Sequence, residues 1–203
     1  MTTFFRTGIA LAVSLLVMLA PAVADEGDES DAAEPLAIGR CRIAPNTACP
    51  GADLRHAELK GVDLSNADLT GANMARIDLR YANLRGAKLK GANLDGARLQ
   101  MAYLQGADLS GASLRGADLD FARLAGADMS GANLEAANLE AVRAQRVQLV
   151  RARLVNANLQ EAKLYEANLS FADMEGAKIR FAIFQDAFME GCKGCPFDWQ
   201  ARN

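Results

Sequence analysis

One histidine, one tryptophan, three tyrosines and five prolines are spread through 203 residues, and aromatic residues make up only 6% of the chain. A single His leaves little for acid–base or metal chemistry, both of which draw heavily on imidazole. There is no excess of positive charge either. The chain has 22 Lys plus Arg against 25 Asp plus Glu, a net charge of −3 and a pI near 5.3, which excludes the basic field by which a nucleic-acid binder neutralises phosphates. The apolar run Ile9–Leu19 falls well short of the roughly 20 residues a membrane-spanning helix needs. What is abundant is Ala and Leu, within a hydrophobic share of 51%. Ala fills little volume, so a core built from the two must be narrow.

The first 24 residues read as a secretory signal. Arg6 lies in a short basic start, the apolar run follows, and Ala22-Val23-Ala24 is a small-residue cleavage site. Cleavage would leave a chain that begins near Asp25 in the periplasm or outside the cell, with no membrane insertion. Residues 25–40 form an acidic leader, with Asp25, Glu26, Asp28, Glu29, Asp31 and Glu34 unrelieved by a basic residue as far as position 34, and its composition is that of a solvated spacer.

From Leu54 to Met189 an apolar residue occupies every fifth position, 28 centres in a row, 21 of them Leu. Met74, Met129, Ala144, Met174, Ile179, Phe184 and Met189 are the others. Two residues before each centre stands Ala, replaced only by Val62, Ile77, Val142 and Val147. A helix cannot use this period, because five residues turn an α-helix by about 500°, and successive centres would scatter around its axis. In an extended segment the Ala and the centre point inward together and the residue between them points out. The two remaining residues must then turn the chain, and Gly, Asn and Asp at those places tolerate turn dihedrals. Each pentapeptide is one short side plus a corner.

The number of sides is legible in the corner residues. Between Gly86 and Gly131 the corners are all Gly except Met101 and Phe121, twenty residues apart, and Tyr81 precedes them by another twenty, as expected if four pentapeptides close one turn and equivalent positions stack. Runs such as Ala52-Asp53-Leu54, Ala67-Asp68-Leu69, Ala92-Asn93-Leu94 and Ala132-Asn133-Leu134 resemble the pentapeptide-repeat family over residues 52–191. The resemblance implies an all-β fold, a right-handed quadrilateral β-helix of about seven coils. It does not imply an activity, because functions within such a family are diverse.

The ends of a solenoid expose unpaired backbone and must be covered. We expect an N-terminal cap at 41–51 and a C-terminal cap at 192–203, stapled by Cys41–Cys49 and Cys192–Cys195, since seven coils separate the two groups and a disulfide requires Cα atoms within about 7 Å. The alternative for Cys192-Lys193-Gly194-Cys195 is a thiol–disulfide redox role, with Lys193 lowering a thiol pKa, although no thioredoxin-like pattern surrounds it. Phe181, Ile183, Phe188, Phe197 and Trp199 gather near the C-terminus. Either the final segment folds over them, or a second chain covers them in a homodimer, as the resemblance implies for members with C-terminal contacts.

Two outward groups are candidate binding surfaces. Arg123, Arg143 and Lys163 stack at period twenty, with Arg146, Arg151 and Arg153 close by in a stretch that holds no acid between Glu140 and Glu161. Such a patch suits an anionic partner, and its alternative is a solvated face in which Val142 and Val147 refill the space left by Ala144. The second group is the apolar stripe Tyr81, Met101 and Phe121 with Tyr103 beside it, either a binding stripe or a set of cross-coil contacts. His56 is expected to be exposed at a corner. Some pentapeptide-repeat proteins imitate DNA with a strongly acidic rod and bind DNA gyrase. The 18 acids and 17 bases of residues 51–191 lack that field. No nucleophile constellation, phosphate loop or metal-ligand spacing is present. The expected protein is therefore a non-enzymatic, exported interaction rod that needs no cofactor or metal and engages a protein partner of unknown identity, with no nucleic acid involved.

Overall fold

The computed structural model describes residues 36–196, and in them the five-residue period becomes a four-sided coil. The residue before each centre pairs in parallel with the residue twenty positions on, from Ala48 with Asp68 to Asp173 with Lys193. Four pentapeptides thus complete one turn. Each pairing spans a single residue, so the sides are stacked bridges rather than long strands. At about 4.8 Å per turn, seven turns make a rod on the order of 34 Å long.

Every side is built alike. Ala102 and Leu104 are wholly buried, whereas Tyr103 between them faces outward. The chain then turns through two residues, and the next inner Ala donates its N–H to the carbonyl of the preceding centre, as Ala107 does to Leu104 at 3.1 Å. Every fifth residue from Asn46 to Gly191 has φ between 51° and 71°. A positive φ at the third residue of a four-residue turn is the mark of type II. Glycine takes it freely, and Arg, Glu, Phe or Tyr at the other corners accept a cost of roughly 1–2 kcal/mol each. The frequent Asp or Asn before the centre also has a local task. Asp108 Oδ1 accepts the backbone N–H of Ser110 at 2.9 Å, and Asn168 Oδ1 that of Ser170 at 3.1 Å, which holds the chain in its turn.

The interior is a continuous column of Ala and Leu in which no polar or charged side chain of the described residues is buried. Val142, Ala144 and Val147, the irregular triplet, all lie inside it. Adjacent turns are joined by three backbone hydrogen bonds per pentapeptide, two on the side and one at the corner, where Gly106 N–H donates to the Ala125 carbonyl at 3.1 Å. On one side, Leu104 N–H donates to the Arg123 carbonyl at 2.8 Å, and Arg123 N–H donates to the Ala102 carbonyl at 2.9 Å. This ladder satisfies backbone groups that burial would otherwise leave unpaired.

At the N-terminal end, β1 (Ala37–Ile38) and β2 (Cys41–Arg42) form an antiparallel hairpin with Ile38 opposite Cys41. A disulfide joins Cys41 to Cys49, with Cα atoms 5.4 Å apart. The coil reaches back beyond Ala52. Asn46 and Gly51 already take the corner conformation, and Cys49 fills a centre and is buried. Thr47 and Cys49 stand where later turns carry Ala and Leu, so the pattern hides its first members. At the other end Cys192 takes the place of an inner Ala, Lys193 pairs with Asp173, and a second disulfide joins Cys192 to Cys195, with Cα atoms 5.8 Å apart. Gly194 closes this staple. A Cβ there would meet the Met174 backbone at 2.8 Å, and its φ is 67°, so only Gly fits. The expected signal segment and acidic leader as far as Pro35, and Phe197 and Trp199, lie outside the described residues.

Candidate functional site

The four sides differ only in their outward residues. We number them from the one whose centres are Leu64, Leu84 and Leu104, followed by those of Leu69, Met74 and Leu79. On the first side Tyr103, Arg123, Arg143 and Lys163 stand in one column on successive turns. Beside them, after each centre, are Gln105, Ala125, Gln145 and Tyr165, and one turn earlier Asn83 and Arg85. From Asn83 to Tyr165 this side carries four cations and no carboxylate. Arg85, Arg123, Arg143 and Lys163 are all exposed, and none forms an ion pair with a described residue. Arg85 and Arg123 instead lie against the ring of Tyr103, at 4.4 and 4.8 Å from its centre, an arrangement that favours a cation over a π face.

Tyr81, Met101 and Phe121 form the corner between the fourth side and the first. They are 48%, 44% and 53% exposed, an apolar edge along three turns. Below the other edge of the first side lies a shallow hollow of about 410 Å³, lined by Ala125, Gly126, Gln145, Arg146 and Glu166. It opens because the corner there is Gly and the adjoining outward residue is Ala.

The wider arginine group divides. Arg146 sits at the next corner, where its Nε donates to Glu166 Oε2 at 2.8 Å, and this guanidinium holds the Glu166 carboxyl below the usual carboxylate range. Arg151 is one corner further round, over the ring of Phe171 at 5.9 Å. Arg153 is on the third side, 3.8 Å from Glu135. The six residues do not form one patch. Two of the cations are answered by acids one turn away, Glu166 above and Glu135 below, which the linear stretch between Glu140 and Glu161 does not contain.

The fourth side carries the opposite charge at the same height. Asp118 accepts from Gln100 Nε2 at 2.6 Å and from Asn138 Nδ2 at 3.0 Å, while Asn158 Nδ2 donates to Glu140 at 3.0 Å. Asp120 stands beside them with Oδ1 buried and without a partner. Partial burial pushes its carboxyl up from the ordinary value, and Asp118 and Glu140 push the same way. Such amide and carboxylate ladders along a column escaped the sequence reading, although Asn and Asp recurring at intervals of twenty were their signal. Asp78 behaves in the opposite sense, because the Arg80 guanidinium, 2.6 Å away, holds its carboxyl down.

His56 is an exposed corner residue. Phe181 and Phe188 are 67% and 62% exposed near the C-terminal end, with Ile183 half-buried between them. Cys195 is buried, its Sγ 3.3 Å from Met174 Sδ. Among the described residues no three His, Cys, Asp or Glu side chains stand close enough to share a metal ion, and no helix is long and apolar enough to cross a membrane.

A four-sided coil packed solid with Leu and Ala defines a solenoid class. The sequence matches pentapeptide repeats in 8 copies, over residues 49–80, 72–111, 102–140, 145–180 and 157–193. The chain belongs to the pentapeptide-repeat family, and its coil is a right-handed quadrilateral β-helix. Members of this family are generally non-enzymatic structural proteins. Among solved structures it is similar to HetL, a pentapeptide repeat protein involved in heterocyst differentiation regulation in the cyanobacterium Nostoc sp. strain PCC 7120. That match has 29% identity over 73% of this chain and 83% of that one, with a TM-score of 0.47. It is also similar to a pentapeptide repeat protein of the Arabidopsis thaliana thylakoid lumen, at 32% identity over 64% of this chain and 66% of that one, TM-score 0.30. QnrB1, a plasmid-mediated fluoroquinolone resistance protein, matches at 21% identity over 78% and 92%, TM-score 0.36. No match is found among curated proteins.

Proposed function

We propose that this chain is an exported, non-catalytic rod of the periplasm or an equivalent lumen, and that it works by presenting its first side to a protein partner. The observation that carries the reading is the column Arg123, Arg143 and Lys163 with Arg85 below it, four exposed cations on a side that bears no acid from Asn83 to Tyr165. On a surface whose acids and bases nearly balance, such segregation gives one side a field of one sign. The ladder beneath fixes the spacing of these residues before any partner arrives, so binding orders little backbone.

Export is supported by the signal-like start and by two disulfides, which persist in oxidising compartments. The same disulfides read as staples. Cys195 is buried on Met174, and Lys193 is held in the ladder by its N–H to the Ala172 carbonyl at 2.9 Å. Cys192 is half-buried and would be the sulfur open to attack, so what argues against a redox role for Cys192-Lys193-Gly194-Cys195 is the turn itself, packed so close to the Met174 backbone that only Gly fits at 194.

The test is cross-linking in the cell envelope. A photoreactive residue at position 143, on the first side, is compared with one at position 90, on the second. Adducts to a protein from position 143 and none from 90 support the reading. Adducts from neither position overturn it.

A further inference from the structure

The first side has a shape as well as a charge. Its border with the fourth side is the apolar edge Tyr81, Met101 and Phe121, and its other border holds the hollow between Ala125, Gly126 and the Arg146–Glu166 pair. The apolar edge covers the lower three turns and the unpaired cations Arg123, Arg143 and Lys163 the upper three, with Phe121 and Arg123 sharing a turn. We infer that this strip docks an amphipathic α-helix of the protein partner, apolar where it meets Tyr81, Met101 and Phe121 and acidic where it meets Arg123, Arg143 and Lys163. The inference rests on the scaffold reading above and adds the chemistry of what is bound.

Three observations choose this occupant. The first is spacing. Turns of the rod repeat at about 4.8 Å and turns of an α-helix at about 5.4 Å, so over the four steps from Tyr81 to Glu161 a helix laid along the rod drifts by only about 2 Å. Same-side residues of an extended strand repeat at about 6.6 Å and drift by about 7 Å over the same steps. Long guanidinium side chains absorb the first mismatch and not the second. About 13 helical residues span the strip.

The second observation is the state of Tyr103. Its ring is already covered by Arg85 and Arg123 at 4.4 and 4.8 Å, so it offers no free platform for a sugar ring or a nucleobase. That sets the strip apart from surfaces that stack bases along a basic groove. Third, the carboxylates of Asp118, Asp120 and Glu140 lie just past the apolar edge. A broad anionic surface, such as a lipid headgroup layer, would meet these acids as soon as it met the edge. A helix is narrow enough to rest on the first side alone, and recognition then reads as apolar anchors plus charge-assisted pairs, a recurring mode for helices on grooves.

The experiment uses the full chain and a fluorescein-labelled helical peptide of about 18 residues, with Leu on one face in its first two turns and Glu on that face thereafter. Saturable binding is expected, and it should weaken by at least about tenfold in Arg123→Glu/Arg143→Glu and several-fold in Phe121→Gly. Lys90→Glu, the same charge change on the second side, should leave it unaltered. A peptide with Lys in place of Glu, and one broken by a central Pro, should fail to bind. Melting curves establish that each variant is folded.

The inference is overturned if the helical peptide does not bind, if the double variant binds it as the parent does, or if the Pro-broken peptide binds equally well. Binding of heparin or a single-stranded oligonucleotide that the double variant loses, without peptide binding, would overturn it in favour of an anionic polymer. The scaffold reading fails separately, by the absence of adducts at both position 143 and position 90.

Discussion

Ala102 and Leu104 in the middle of the rod are wholly buried, while in the last turn Ala182, the equivalent of Ala102, and the centres Ile179 and Met189 are only partly covered, although Phe184 over the Leu104 position stays buried. The residue types are alike and the backbone is alike. What differs is the neighbour, because a middle turn is covered above and below and an end turn on one face only. The two ends answer this differently. The N-terminal one lays the β1–β2 hairpin over its opening, burying Cys41 and Ile43, and ties it to the first turn through Cys49. The C-terminal one tucks Cys195 onto Met174 and leaves Phe181 and Phe188 in solvent. Stability in a stacked fold is therefore a property of position along the axis as much as of composition.

The contrast is broken most severely from the middle. Leu104→Asp would force a carboxylate into the column without a partner, at a cost of several kcal/mol, comparable with the whole stability of an ordinary domain. Loss of the cooperative melting transition is expected, and a melting curve like that of the parent would refute the inward assignment of the centres. The reciprocal change at the end, Cys41→Ser with Cys49→Ser, should cost about 2–3 kcal/mol by freeing the short loop between them. Its effect should appear as faster hydrogen exchange in the first turn while residues 100–120 stay protected, and even exchange along the rod would deny the ends their separate character.

Smaller changes sharpen the picture at the corners and columns. Phe121→Gly relieves a positive φ of 55° at the expense of side-chain contact along the corner, and a net gain of up to about 1 kcal/mol is expected in a denaturant titration. Asp120 and Asp78 should act on stability with opposite sign. The folded Asp120 carboxyl lies above its ordinary value, so its charge opposes folding at neutral pH, and that penalty fades as pH falls through the folded value toward the ordinary one. Asp120→Asn should raise the melting temperature at pH 7 and lose that advantage once the pH has fallen below the ordinary carboxylate value. Asp78 is held low by Arg80, so its contribution is present above the ordinary carboxylate value and is lost as pH falls through the lowered one. Asp78→Asn should lower the melting temperature at pH 7, and equal melting of the two variants there would contradict both assignments.

Much of this was legible in the chain because the fold is periodic. The inward positions recur every five residues and the corners every twenty, so Leu104 and Phe121 could be placed without coordinates. Charge partners were less accessible. Arg146 and Arg153 look unopposed in the linear sequence, yet Glu166 and Glu135 reach them from adjoining turns, and which of two acids at similar height an arginine takes depends on side-chain reach rather than on spacing. The hairpin at Ala37–Arg42 carries only Gly39 as a turn residue, too little to announce it. Thr47 and Cys49 concealed the first turn because neither belongs to the Ala and Leu vocabulary of the rest.

The twenty-residue turn also makes each residue number an address. The remainder after division by twenty names the side or corner, and the quotient names the height. Deleting residues 85–104 would shorten the rod by one storey and leave every later side chain facing its original direction. Inserting five between Leu104 and Arg123 would rotate everything beyond the insertion by a quarter turn, carrying Arg123, Arg143 and Lys163 from above Tyr103 to the neighbouring side. In such a molecule, lengthening and re-aiming a surface are separate edits, made by counting.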